Sequence, residues 1–241
     1  MPTRLDAVLV DARDPGTLAS WWAAALGWPA HEEEPGEVEV APPPGAPGLP
    51  LLFEAVAEPK RVKNRLHLDL ATATRDDQAA TVERLVTLGA SHVDIGQRDV
   101  PWVVLADPEG NEFCVLDPRP EYADCGAVAA VVLDAADPVR LAPFWSAATG
   151  WPVTRSGDDY ASLRPPDGGG PWLELIQVSD PKQGKNRLHL DVAPYAGDDQ
   201  AAEVDRLVAL GASHADIGQG DVRWVVLADP EGNEFCVLTP R

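Results

Sequence analysis

Residues Asp76–Leu116 recur as Asp198–Leu238 at a constant offset of 122, with 35 of 41 positions identical. The match runs upstream through Lys63-Asn64-Arg65-Leu66-His67-Leu68-Asp69 and Lys185-Asn186-Arg187-Leu188-His189-Leu190-Asp191. Nearer each N-terminus it decays, and Trp22, Gly27 and Trp28 answer to Trp145, Gly150 and Trp151 at an offset of 123, so one residue was gained or lost between the copies. A period this long is a domain rather than a solenoid repeat. The chain therefore reads as residues 1–118, a linker at 119–125 and a second copy at 126–241.

Each copy alternates strand and helix signals. Leu5–Val10 is an apolar run, and Asp14-Pro15 supplies an N-cap followed by proline at the first helical position. Leu18, Trp21, Trp22 and Ala25 then fall on one helical face, with Gly27 placed for a left-handed C-cap. Asp137-Pro138, Leu141, Phe144, Trp145, Ala148 and Gly150 repeat the pattern, and a core stripe accounts for these aromatics. Glu37–Val40 and Leu49–Val56 read as strands around a proline-rich loop. In the strand Asn64–Leu70 the leucines point one way and His67 and Asp69 the other. A helix over about Asp76–Leu88 follows, then a hairpin of Trp102–Ala106 and Glu112–Leu116 turning at Asp107-Pro108-Glu109-Gly110.

The net charge of −20 repels phosphate backbones and anionic lipid heads, so nucleic acid and membrane surfaces are not expected partners, whereas a cationic small molecule is attracted. No apolar run spans a bilayer, and Met1-Pro2-Thr3-Arg4 leads straight into a strand-like segment, so a cytoplasmic protein is expected, as monomer or homodimer. Cys114 and Cys236 are repeat mates inside strand patterns, and with Cys125 make an odd count, so disulfides are not expected. Sequences for a phosphate loop, a nucleophile elbow or a paired-cysteine motif are absent.

The two KNRLHLD segments, together with Asp107-Pro108-Glu109-Gly110-Asn111-Glu112-Phe113-Cys114 and its mate, resemble motifs of glyoxalase-like domains in the vicinal oxygen chelate superfamily, which includes glyoxalases, extradiol dioxygenases and bleomycin-resistance proteins. The resemblance implies an α+β fold of two tandem domains, each of paired βαβββ modules forming a half-open barrel around a cavity. In enzymes of the superfamily, histidine and glutamate ligands on the first, fourth, fifth and eighth strands hold a metal. Transferred to this chain, the fifth-strand position matches His67 and His189, and the fourth Glu54 in the first domain and Gln177 in the second, with Glu174 nearby. The nearest first-strand candidate is Asp6, whose mate is Ala129, and the eighth-strand position is Cys114 or Cys236.

The first domain thus offers Asp6, Glu54, His67 and Cys114 to a divalent ion such as zinc, and the second only Gln177, His189 and Cys236. A ligand-binding cavity is expected to be lined by Glu54, His67, Asp69, Trp102 and Cys114 in one domain and by Gln177, His189, Asp191, Trp224 and Cys236 in the other. Trp28, Trp151 and Trp172 add flat surfaces suited to stacking or to the core. Lys60, Arg61, Lys63 and Arg65, matched by Lys182, Lys185 and Arg187, are either solvated loop charges or a seat for a carboxylate. Because the acidic ligand set is incomplete, the favoured expectation is a small-molecule-binding protein of the antibiotic-resistance type, without a cofactor, that sequesters an apolar, aromatic or cationic compound. The alternative is a divalent-metal-dependent lyase, isomerase or dioxygenase with its site in the first domain.

Overall fold

The computed structural model describes residues 3–241. Met1 and Pro2, the start of the segment read as leading into the first strand, lie outside the described residues. Four βαβββ modules follow one another. The first is β1 (Arg4–Ala12), α1 (Pro15–Leu26), β2 (Ala30–Glu34), β3 (Glu37–Val40) and β4 (Leu51–Ala55). The second is β5 (Leu66–Leu70), α2 (Arg75–Thr87), β6 (Ser91–His92), β7 (Val103–Ala106) and β8 (Glu112–Val115). In the second half, β9 (Val128–Ala135), α3 (Pro138–Thr149), β10 (Val153–Ser156), β11 (Tyr160–Leu163) and β12 (Trp172–Gln177) form the third. The fourth is β13 (Leu188–Ala193), α4 (Gln200–Ala209), β14 (Ser213–His214), β15 (Val225–Ala228) and β16 (Glu234–Val237). Of these, the exposed strand β2 and the two-residue β6 escape sequence reading, because neither shows an apolar alternation. No helix among the described residues is long and apolar enough to cross a membrane.

The modules pair across the repeat. One eight-stranded sheet, sheet A, has the order β14-β15-β16-β13-β1-β4-β3-β2 and so joins the fourth module to the first. The other, sheet B, has the order β10-β11-β12-β9-β5-β8-β7-β6 and joins the third to the second. The antiparallel seams are β1 with β13 and β5 with β9, and neither sheet closes into a barrel. Each sheet is thus a pair of βαβββ modules, one from each copy of the sequence.

What holds a single copy together is the layer between the sheets. Asp14 accepts a hydrogen bond from the Thr17 amide to open α1, and Gly27 closes it at a φ of 68°, a left-handed conformation for which glycine is suited. The buried face of α1 brings Trp21 and Trp22, from a helix on sheet A, against Phe113 of sheet B, with ring centroids 5.8 and 5.2 Å away. Phe144, Trp145 and Phe235 repeat the cluster in the second copy. Helix-facing residues of both sheets, including Leu66, Leu68, Leu70, Leu188, Leu190 and Val192, merge with these aromatics into one large core. The opposite faces of the sheets stay open, and the functional candidates lie there.

Candidate functional site

Much of the repeated motif secures packing within each copy and the junction between copies. The Asp107 carboxylate accepts from the amides of Glu109 and Asn111, the Asn111 side chain and the Trp22 indole, pinning the hairpin turn to α1. Asp229 does the same for Trp145. Glu109 accepts from the backbone amides of Arg13 and Asp14 and pairs at 2.9 Å with Arg187 of the other copy. Arg187 also donates to the carbonyls of Asp11 and Glu58. Lys63 reaches Asp134 at 2.5 Å and Lys185 reaches Asp11 at 2.6 Å, while Lys60 and Lys182 pair with Glu112 and Glu234. Lys60, Lys63, Lys182, Lys185 and Arg187 are therefore each paired with a carboxylate. Arg61, by contrast, is exposed and lines the groove described below.

Cross-pairing divides the expected metal set. Asp6 and Glu54 belong to sheet A, and His67 and Cys114 to sheet B. Asp6 sits at a β-bulge and is held by Arg4 and Arg241 at 3.3 and 3.2 Å. Gln177 lines the groove described below, but it is not the register counterpart of Glu54. Glu39 faces Leu52 as Ser162 faces Glu174, and Asp11 faces Glu54 as Asp134 faces Ile176. The odd residue therefore lies in the segment between these positions, at 41–50 against 164–172, and the counterpart of Glu54 is Ile176. Strand alternation puts Gln177 on the same side as Leu173 and Leu175, and its amide donates to the Ala136 carbonyl. Glu174 is the carboxylate on the open face of sheet B.

The open face of sheet A carries His189 and Asp191 on β13, Cys236 beside Asp191 on β16, Leu9 between His189 and Leu52, and Glu54 at the end of β4. His189 and Asp191 are each 1% exposed, yet both imidazole nitrogens and one Asp191 oxygen lack a hydrogen-bond partner. Unsatisfied buried polar atoms are costly and need an explanation. Burial holds His189 neutral, its pKa lowered to about 3, and the nearby Lys185 charge acts in the same sense. Burial likewise lifts Asp191 to about 8, against the hydrogen bond from the Cys236 thiol, and lifts Glu54 to about 7 with help from the Glu37 and Asp11 charges. The Cys236 thiol is pushed far up by burial and by Asp191, so it keeps its proton. Leu9, Glu54, His189, Trp224 and Cys236 line a groove of about 1370 Å³ that continues over the loops before β5 and β13.

Sheet B has the same floor but a different covering. Ligand atoms of His67, Asp69 and Cys114 lie within 4.8 Å of one another, with the His67 Nε2 3.5 Å from Asp69, and this trio is able to gather around a cation. The Cys114 thiol is raised by burial and by Asp69, which disfavours the thiolate a soft metal takes. The first-strand residues level with the histidines are Leu9 and Val132, and the eighth-strand residues are protonated thiols. Neither sheet assembles the four-strand histidine and glutamate set. Tyr122, in a short 3-10 turn at Pro120–Tyr122, packs over this floor with Cys114, Val132 and Trp172 and donates to Glu174 at 3.1 Å. Arg119 lies over both the Trp102 ring (5.7 Å) and the Tyr122 ring (5.9 Å), so Trp102 is already capped from within. Arg155 and Arg164 both lie over the Trp172 ring, while Trp28 is buried in the core and Trp151 packs against it. Trp224 is the tryptophan of this set that lines the groove. Tyr122 is the site residue that sequence reasoning missed, and its signal was an aromatic side chain in an otherwise proline-rich and charged linker.

The model of the glyoxalase-like domain matches twice, at residues 7–116 and 130–238. No curated protein matches the sequence at a significant level. Among solved structures, glyoxalase I from Zea mays superposes with a TM-score of 0.70 at 16% identity, over 98% of this chain and 92% of that one. A putative dioxygenase from Bacillus subtilis subsp. subtilis str. 168 gives 0.65 at 13% identity, over 99% and 86%. At such identities the likeness is one of fold.

Proposed function

Taking as premise that the chain belongs to the glyoxalase-like domain family, we propose that it is a small-molecule-binding protein whose working site is the groove on the open face of sheet A. The observation that carries this reading is His189 at the groove floor, buried with Asp191 and Cys236 beside it and with both imidazole nitrogens unsatisfied by any protein group. A ligand supplying one donor and one acceptor there removes a penalty that the free protein bears. Trp224 offers a flat apolar wall and Glu54 a carboxylate, suited to an aromatic compound, neutral or cationic. Sequestration rather than turnover fits the protonated thiols, which are poor nucleophiles.

The test is a titration of tryptophan fluorescence with aromatic and cationic compounds. Saturable quenching should be lost in Trp224→Ala, weakened in Glu54→Gln and unaffected in Trp102→Ala. Equal loss in Trp102→Ala would move the site to sheet B. The second reading, a metal-dependent enzyme, rests on the His67, Asp69 and Cys114 trio. It predicts about one equivalent of a divalent ion in protein purified without chelator, released by His67→Ala.

A further inference from the structure

The two open faces are copies of one surface, and on sheet B that surface is occupied by a side chain of the protein itself. Asp69, Cys114, Trp102 and Val104 on sheet B answer to Asp191, Cys236, Trp224 and Val226 on sheet A at the same offset of 122. Over the former lies the Tyr122 ring, 8% exposed, in one buried apolar cluster with Cys114, Val104, Val132 and Trp172. Its phenolic hydroxyl donates to Glu174, and the negative charge of Asp69 lies close enough to help hold that proton on oxygen. Sheet A has the corresponding apolar patch, Val226, Cys236 and Leu238 with Trp224 and Ile217 beside it, but no aromatic side chain covers it among the described residues.

We infer that Tyr122 is an intramolecular ligand of the second site, and that the open site on sheet A takes a molecule presenting the same group at its deep end, a phenolic ring whose hydroxyl donates to a buried carboxyl. This rests on the reading of the sheet A groove as a binding site and specifies its ligand. On sheet A the acceptor that lines the groove is Glu54, because Leu52 stands where Glu174 stands on sheet B. The neutral His189 imidazole is placed to serve the phenolic oxygen as a further partner. The groove is far larger than one ring, so the remainder of the ligand extends outward past the loops before β5 and β13.

Three compounds of matched size separate the possibilities: 4-fluorophenol, 4-fluoroanisole, which lacks the donor, and 4-fluorobenzylamine, which carries a positive charge. Binding to the full chain is followed by fluorine NMR. We expect the phenol to bind at a site abolished by Trp224→Ala and the ether to bind at least about tenfold more weakly, the worth of one hydrogen bond. Ether or amine binding as tightly as the phenol, still sensitive to Trp224→Ala, overturns the phenol assignment and leaves the sheet A binding site standing. Absence of binding by all three overturns both. Removing the internal ligand gives an independent arm. Tyr122→Gly should gain a second 4-fluorophenol site that Trp224→Ala does not affect, whereas Tyr122→Phe, which keeps the ring in place, should not. A folded Tyr122→Gly protein without the second site contradicts the inference.

Discussion

Asp191→Asn should abolish a specific alkaline loss of stability. Asp191 is buried, and its pKa is lifted from 3.8 to about 8, so the unfolded chain releases this proton well before the folded chain does. For a raised carboxyl the stability contribution falls as pH rises from the unfolded value to the folded one, by about 1.4 kcal/mol per pH unit, and is constant above it. His189 acts oppositely, because its folded value of about 3 lies below 6.5 and stability therefore rises with pH across that interval. The two effects nearly cancel up to pH 6.5. Between pH 6.5 and 8 Asp191 acts without that compensation, giving a loss of about 2 kcal/mol. Glu54, raised to about 7, adds a falling limb ending near pH 7 that both proteins share. Urea unfolding of wild type and Asp191→Asn at intervals from pH 6 to 9 gives the difference between the two curves. That difference should shift by about 2 kcal/mol in favour of the variant between pH 6.5 and 8, and any fixed packing cost of the amide drops out of the comparison. Parallel curves would refute the idea that burial outweighs the Cys236 hydrogen bond at Asp191.

Arg187→Ala should destabilise the chain by about 3–5 kcal/mol in urea unfolding, because it strands the Glu109 carboxylate and the Asp11 and Glu58 carbonyls at the junction. Trp22→Phe keeps most of the ring packing but loses the bond to Asp107, a loss of about 1–3 kcal/mol by the same assay. Cutting the linker with a protease site placed at 123–124 should leave the two fragments associated in gel filtration under native conditions, since every sheet contains strands of both. Fragments that separate as folded monomers would contradict the cross-paired sheets.

The elements were legible because period-two alternation and helix caps act locally. His67 and Asp69 emerge opposite the leucines, as the pattern of β5 requires, and Asp14, Gly27 and Asp107 make the caps and turn their residue types suggest. The pairing of modules was not legible, because the duplication gives both copies nearly the same edges: β5 and β13 carry the same Leu-His-Leu-Asp run, and nothing local decides which of them β1 meets. For that reason Asp6, Glu54, His67 and Cys114 were grouped together although the sheets separate them. The pairing of Gln177 with Glu54 fails for a different reason. A one-residue change hidden in the loop at 41–50 shifts the offset from 123 to 122 before β4, and on a strand a shift of one residue reverses the face of every side chain. Tyr122 escaped notice because a linker residue gains its role only from what the fold places beneath it.

The most direct measurement is a crystal structure of the chain soaked with the tightest aromatic binder found by fluorescence. Density on sheet A bounded by Glu54, His189 and Trp224, with Tyr122 still bonded to Glu174 on sheet B, is the predicted result. Density over His67 and Cys114 with Tyr122 displaced, and none on sheet A, would contradict the account.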